Sequence, residues 1–132
     1  MRLLLDTHSF LWAALSPELL SDAARTAILD PSNDIFVSAI SYWEISLKYG
    51  LGKLELEGIT PEDLSEATTQ LGFGPMDLDP SDAASFWRLP KTGHGDPFDR
   101  MLVWQAIQGD CTLVSRDGGL AAYERDGLKL LR

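Results

Sequence analysis

Four acidic residues stand where the chain could present carboxylates to one point. Asp6 directly follows the apolar run Arg2 to Leu5, and Asp117 comes shortly after the run Cys111 to Val114. Glu44 lies in SYWEISLKYG among Ile40, Trp43, Ile45 and Leu47, and Asp99 lies in HGDPFDRM. A carboxylate among apolar neighbours is costly unless something neutralises it. Carboxylates that converge without Lys or Arg between them repel one another, and the arrangement persists when divalent cations fill the gap. Ligation by oxygen alone favours Mg²⁺ or Mn²⁺ over zinc. Such ions orient a phosphodiester, lower the pKa of a bound water and stabilise charge on the leaving oxygen. The pattern therefore points to a metal-dependent nuclease.

Each residue also has a plainer role. Asp6 and Asp117 suit turns at strand ends, and Glu44 with Lys48 makes an i,i+4 ion pair. Asp96 has the features of a helix N-cap with Pro97 at the first helical position, which puts Asp99 in the first turn, where an acid favours the helix dipole. Thr7 and Ser115 hydroxyls could position water or a ligand, or bond the local backbone. Arg100 and Arg116 stand next to proposed ligands, where they could bind a phosphate or pair with the acids. His8 and His94 have no evident orienting partner and read as structural or surface groups.

The elements that must position these groups alternate between strand and helix. Short apolar runs at Arg2 to Leu5, Ile35 to Val37, Cys111 to Val114 and Leu128 to Leu131 read as buried parallel strands. Helices are expected after Ser21, after Ser41 up to Gly50, after Thr60 and Pro61, from Ser81 through Trp87, and from Asp96 and Pro97 to Gly109. The alternation gives an α/β fold with a central parallel sheet. Ligands of such sheets sit at the carboxyl ends of the strands, where Asp6 and Asp117 fall.

Composition sets the outer bounds. The 132 residues, 45% hydrophobic and with neither linker nor repeat, are expected to form a single domain over 1–132. One cysteine excludes an internal disulfide. Eleven Lys and Arg against twenty Asp and Glu give a net charge of -9, so nucleic acid must be engaged locally, through metal ions or a basic partner. No apolar run approaches the roughly 20 residues that span a bilayer, and the start is too short for a signal peptide. A cytoplasmic protein is expected. A haloacid-dehalogenase-like phosphatase would place a second aspartate where His8 stands, and a receiver domain would need a lysine after a late strand.

LLLDTHSFLWA, VSAISYWEISLKYGLGKLEL, HGDPFDRMLVWQA and TLVSRD resemble, in order, a PIN domain of the VapC toxin type. The resemblance covers nearly the whole chain. It implies an α/β/α sandwich around a parallel sheet and a Mg²⁺- or Mn²⁺-dependent endoribonuclease. It maps the acidic ligands to Asp6, Glu44, Asp99 and Asp117, with Asp96 as helix cap first and accessory acid second. It also implies a toxin–antitoxin pair, in which a small antitoxin protein blocks the site and RNA is the substrate. Trp12, Tyr42 and Trp43 are candidate residues for that interface or for a homodimer. The alternative is a PIN-fold binding module that sequesters a partner without cleaving.

Overall fold

The computed structural model describes residues 1–132. In chain order it contains β1 (Arg2–Leu5), α1 (Thr7–Leu15), α2 (Asp22–Leu29), β2 (Asp34–Ser38), α3 (Ala39–Gly50), α4 (Leu64–Gln70), β3 (Gly74–Met76), α5 (Pro80–Ser85), α6 (Pro97–Gln108), β4 (Thr112–Val114) and β5 (Lys129–Leu131). Short 3-10 stretches occupy Pro17–Leu19, Pro61–Asp63, Phe86–Arg88 and Gly118–Asp126. Every strand pair is parallel, and the sheet order is β3-β2-β1-β4-β5.

β1 is central because Leu3, Leu4 and Leu5 can all be buried at once. Alternate residues of a strand face opposite sides. Leu4 packs with Leu102, Val103, Ala106 and Leu113 on the side covered by α6, whereas Leu3 and Leu5 pack with Phe10, Ala24, Ile45, Leu64 and Val114 on the side of α1, α2 and α4. Helices on both faces give the three-layer α/β/α sandwich. Each of the three leucines contributes about 1.5–3 kcal/mol of burial.

α6 has the boundaries its sequence announces. The Asp96 carboxylate accepts from the Asp99 N–H at 3.0 Å, Pro97 starts the helix, and the Gly109 N–H donates to the Gln105 carbonyl at 2.9 Å. Other boundaries differ from expectation. Ser38, not Ser41, caps α3, its hydroxyl accepting from the Ile40 N–H at 3.0 Å, so the helix starts directly at the end of β2. Gly50 is the last residue of α3, and the left-handed glycine follows at Gly52, with φ 71°. Asp79 rather than Ser81 caps α5, and Phe86–Arg88 continues as a 3-10 turn. β3 was not expected, since Gly74–Met76 holds a proline; at the sheet edge Pro75 breaks no essential ladder.

The 3-10 stretch Gly118–Asp126 ends at Gly127 with φ 102°, a conformation that side chains resist. Gly127→Ala should therefore lower stability by about 1 kcal/mol, read as a lower urea midpoint at unchanged slope.

Candidate metal centre

β2 and β4 lie on opposite sides of β1, so the chain leaves the β1/β4 boundary in opposite directions and opens a crevice at the strand ends. Asp6 and Asp117 stand there. The Asp6 N–H donates to the Val114 carbonyl at 3.0 Å, and the Ser9 hydroxyl donates to the same carbonyl at 3.1 Å, which ties the start of α1 to the end of β4. Asp6 caps α1, its Oδ1 accepting from the Ser9 N–H at 2.8 Å. Asp117 caps the next 3-10 stretch, its Oδ1 accepting from the Gly119 N–H at 2.9 Å. Both plain roles thus exist, and in each case they use one oxygen and fix the other.

Asp99 enters from the first turn of α6. Its pKa is pushed up to about 6, first by burial and then by the negative charges of Asp96, Asp6 and Glu44, against the lowering effect of a bond from His94. Asp6 lines the same cavity as Asp99, and Glu44 and Asp96 add their fields from beside it. Glu44, only 3% exposed, is held on both oxygens. The Thr7 hydroxyl donates to its Oε1 at 2.6 Å and lies 3.1 Å from the Ser41 hydroxyl, while Lys48 pairs with its Oε2. That pairing raises the Lys48 pKa, with Asp96 and Asp99 adding to it. Ser41, expected to open α3, instead joins this buried network.

Thr7→Val keeps the side-chain shape and removes the donor to Glu44. A buried carboxylate that loses a partner costs about 1–3 kcal/mol. A fall of that size in chemical denaturation, absent in Thr7→Ser, is the expected result.

The centre opens to solvent through a cavity of about 320 Å³ lined by Asp6, His8, Trp12, Asp99, Arg116 and Asp117. Arg116 donates to the Leu19 carbonyl at 3.2 Å and lies 5.8 Å from the centre of the Trp12 ring, at the cavity wall. Ser115 is buried and its hydroxyl accepts from the Asp117 N–H at 3.1 Å, so it shapes the turn that carries Asp117. Arg100 does not join the site. Neighbours on a helix point about 100° apart, and Arg100 donates instead to the Tyr123 hydroxyl at 3.1 Å and the Leu89 carbonyl at 3.2 Å.

His94 is the residue that sequence reasoning missed. Its Nε2 lies 3.0 Å from Asp99 Oδ2 and its Nδ1 3.6 Å from Asp117 Oδ2. The only hint was its position in the glycine-flanked loop just before the Asp96 cap. His8 remains at the surface, its ring centre 5.8 Å from that of Trp12.

Comparison with known families matches the PIN domain over residues 3–126. The chain is a PIN domain. It is also 31% identical, over 91% of its length and 90% of the other's, to ribonuclease VapC22 of Mycobacterium tuberculosis (strain ATCC 25618 / H37Rv). This PIN domain is thus a ribonuclease of the VapC family. Its fold matches VapBC2 of Rickettsia felis, with a TM-score of 0.66 at 19% identity over 99% of this chain and 98% of that one. It also matches FitAcB of Neisseria gonorrhoeae, with a TM-score of 0.64 at 24% identity over 98% and 96% of the two chains. PIN nucleases are metal-dependent, and the donor set suits a hard cation. Asp6 Oδ2 and Asp99 Oδ1 are not used by the contacts that fix these residues. No helix is long and apolar enough to cross a membrane.

Proposed function

We propose that this PIN domain is the toxin of a toxin–antitoxin pair and cuts RNA internally, with Mg²⁺ or Mn²⁺ held by Asp6, Asp99 and Asp117 and with Glu44 beside them. The observation that carries the reading is the crowding of Asp6, Glu44 and Asp96 on the buried carboxylate of Asp99, a concentration of negative charge that a bound cation would relieve at neutral pH. The bound ion would activate a water and stabilise the leaving oxygen. The protein's own part is to hold the carboxylates. Asp6 and Asp117 are anchored as caps, and the short bond from Thr7 orients Glu44. Asp96 stays a cap whose charge contributes to the site's negative field. Arg116, at the cavity wall, is placed to contact a substrate phosphate.

The antitoxin partner is a small protein with basic side chains, complementary to a charge of -9. The related VapBC2 complex was solved bound to a DNA fragment from its promoter, which supports DNA binding by the pair. An apolar cleft lined by Ala13, Leu20, Ile28, Leu29, Leu71 and Phe73 is a suitable seat for the partner's apolar segment. Of the aromatic interface candidates, Trp43 is 60% exposed beside Phe98 and suits a homodimer contact, whereas Tyr42 bonds Thr68 and Trp12 lines the cavity.

The test is cleavage of total cellular RNA by purified, partner-free protein. Discrete fragments with Mg²⁺ or Mn²⁺ and none with EDTA are expected. A folded protein that cuts nothing with either ion would favour the sequestering role.

A further inference from the structure

His94 is held by more than its loop. Its imidazole bridges Asp99 and Asp117, with Nε2 3.0 Å and Nδ1 3.6 Å from their carboxylates, and its N–H donates to the Thr92 hydroxyl at 3.1 Å. One donor atom from each of His94, Asp99 and Asp117 can be chosen so that all three lie within 4.8 Å of one another. The space it occupies is kept open from the other side by Gly119, where a Cβ would approach Asp117 Oδ1 to 3.1 Å and His94 Nδ1 to 3.6 Å. Elsewhere around the gap Lys48 pairs with Glu44 and Arg100 with Tyr123, while Arg116, at the cavity wall, bonds the Leu19 carbonyl through one nitrogen and none of the acids. Of the basic side chains, the imidazole alone reaches the two acids that flank the opening.

We propose that His94 is a ligand of the bound ion, so that this centre offers one nitrogen among its carboxylate oxygens and selects Mn²⁺ over Mg²⁺. Mg²⁺ is served by oxygen donors and gains little from imidazole, whereas first-row transition ions accept imidazole readily. Two carboxylates and one imidazole on separate segments form a mixed donor set. The inference rests on the metal-dependent reading of the same centre and names which ion that centre prefers.

The test adds one equivalent of Mn²⁺ to the metal-free full chain and reads nitrogen hyperfine coupling by pulsed EPR, together with Mn²⁺ and Mg²⁺ affinities by competition. The wild type should show the coupling. His94→Gln should lose it, keep its circular dichroism spectrum, and lower the preference for Mn²⁺ over Mg²⁺ by about tenfold. His8→Gln serves as the control, since it removes the only other histidine. Coupling that survives in His94→Gln, or Mn²⁺ bound to the wild type without nitrogen coupling, overturns the assignment while the metal-dependent reading stands. If Mn²⁺ binds neither the wild type nor Asp99→Asn, both fall together.

Discussion

Asp99→Asn is expected to lose metal-dependent RNA cleavage by more than a hundredfold and, in EDTA at neutral pH, to melt at a higher temperature than the wild type. The two effects have one cause. Asp99 titrates near 6 in the folded metal-free protein against an ordinary value of 3.8, chiefly because it is buried and then because Asp96, Asp6 and Glu44 crowd it. A carboxylate whose pKa is raised by folding binds its proton more tightly in the native state. Below 3.8 both states are protonated and nothing is gained or lost. As pH rises from there the unfolded chain ionises first, so the fold loses stability progressively up to about 6 and the penalty then levels off. Asparagine removes that penalty and keeps a group that can pair with His94. The thermal advantage of the variant should therefore be full near pH 8 and vanish near pH 4, and added Mn²⁺ should raise the wild-type melting temperature only. An Asp99→Asn protein less stable than wild type in EDTA at pH 8 would contradict the crowding. On the activity side, outer partners of metal ligands cost 10–100-fold when lost, about the least that removing a ligand should cost.

Asp6 has a second large effect, because its two oxygens do different work. Asp6→Asn keeps an acceptor for the Ser9 N–H, so α1 retains its cap and the fold its stability. Cleavage should still fall at least about a hundredfold, because the charge that attracts the ion is gone. Asp6→Ala loses cleavage to the same extent and also the cap, which costs about 1 kcal/mol. The pair is read by urea unfolding beside an RNA cleavage assay. Equal activity losses with unequal stabilities are the expected outcome. A stable Asp6→Asn protein that still cuts at wild-type rate would remove Asp6 from the metal centre.

How much of this the sequence disclosed varies by residue. Continuous apolar runs mark β1, β2 and β4 because strands covered on both faces need no polar alternation, and a shorter run marks the edge strand β5. Asp96 with Pro97, and Gly109, mark α6 to the residue because their chemistry suits only those positions. Asp79 and Pro80 form the same pair before α5, where Ser81 was preferred. β3 was illegible, being three residues around a proline whose pairing depends on the strand beside it. The positions of Asp6 and Asp117 after apolar runs, of Glu44 inside a helix and of Asp99 in a first turn could all be read from their elements, and the structure places them so, with Asp117 in the turn nearer solvent. His94 was hidden because a loop's path across the end of a sheet has no periodicity. Arg100 misled because adjacency in sequence opposes adjacency in space on a helix.

The central strand β1 is made first, but its neighbour β4, and with it Asp117, is supplied from the far end of the chain. The crevice cannot close until that late strand has docked, and long-range parallel pairing is slow. A chain made only as far as α6 therefore lacks both β4 and Asp117 and holds an incomplete centre, whatever its earlier carboxylates have already done.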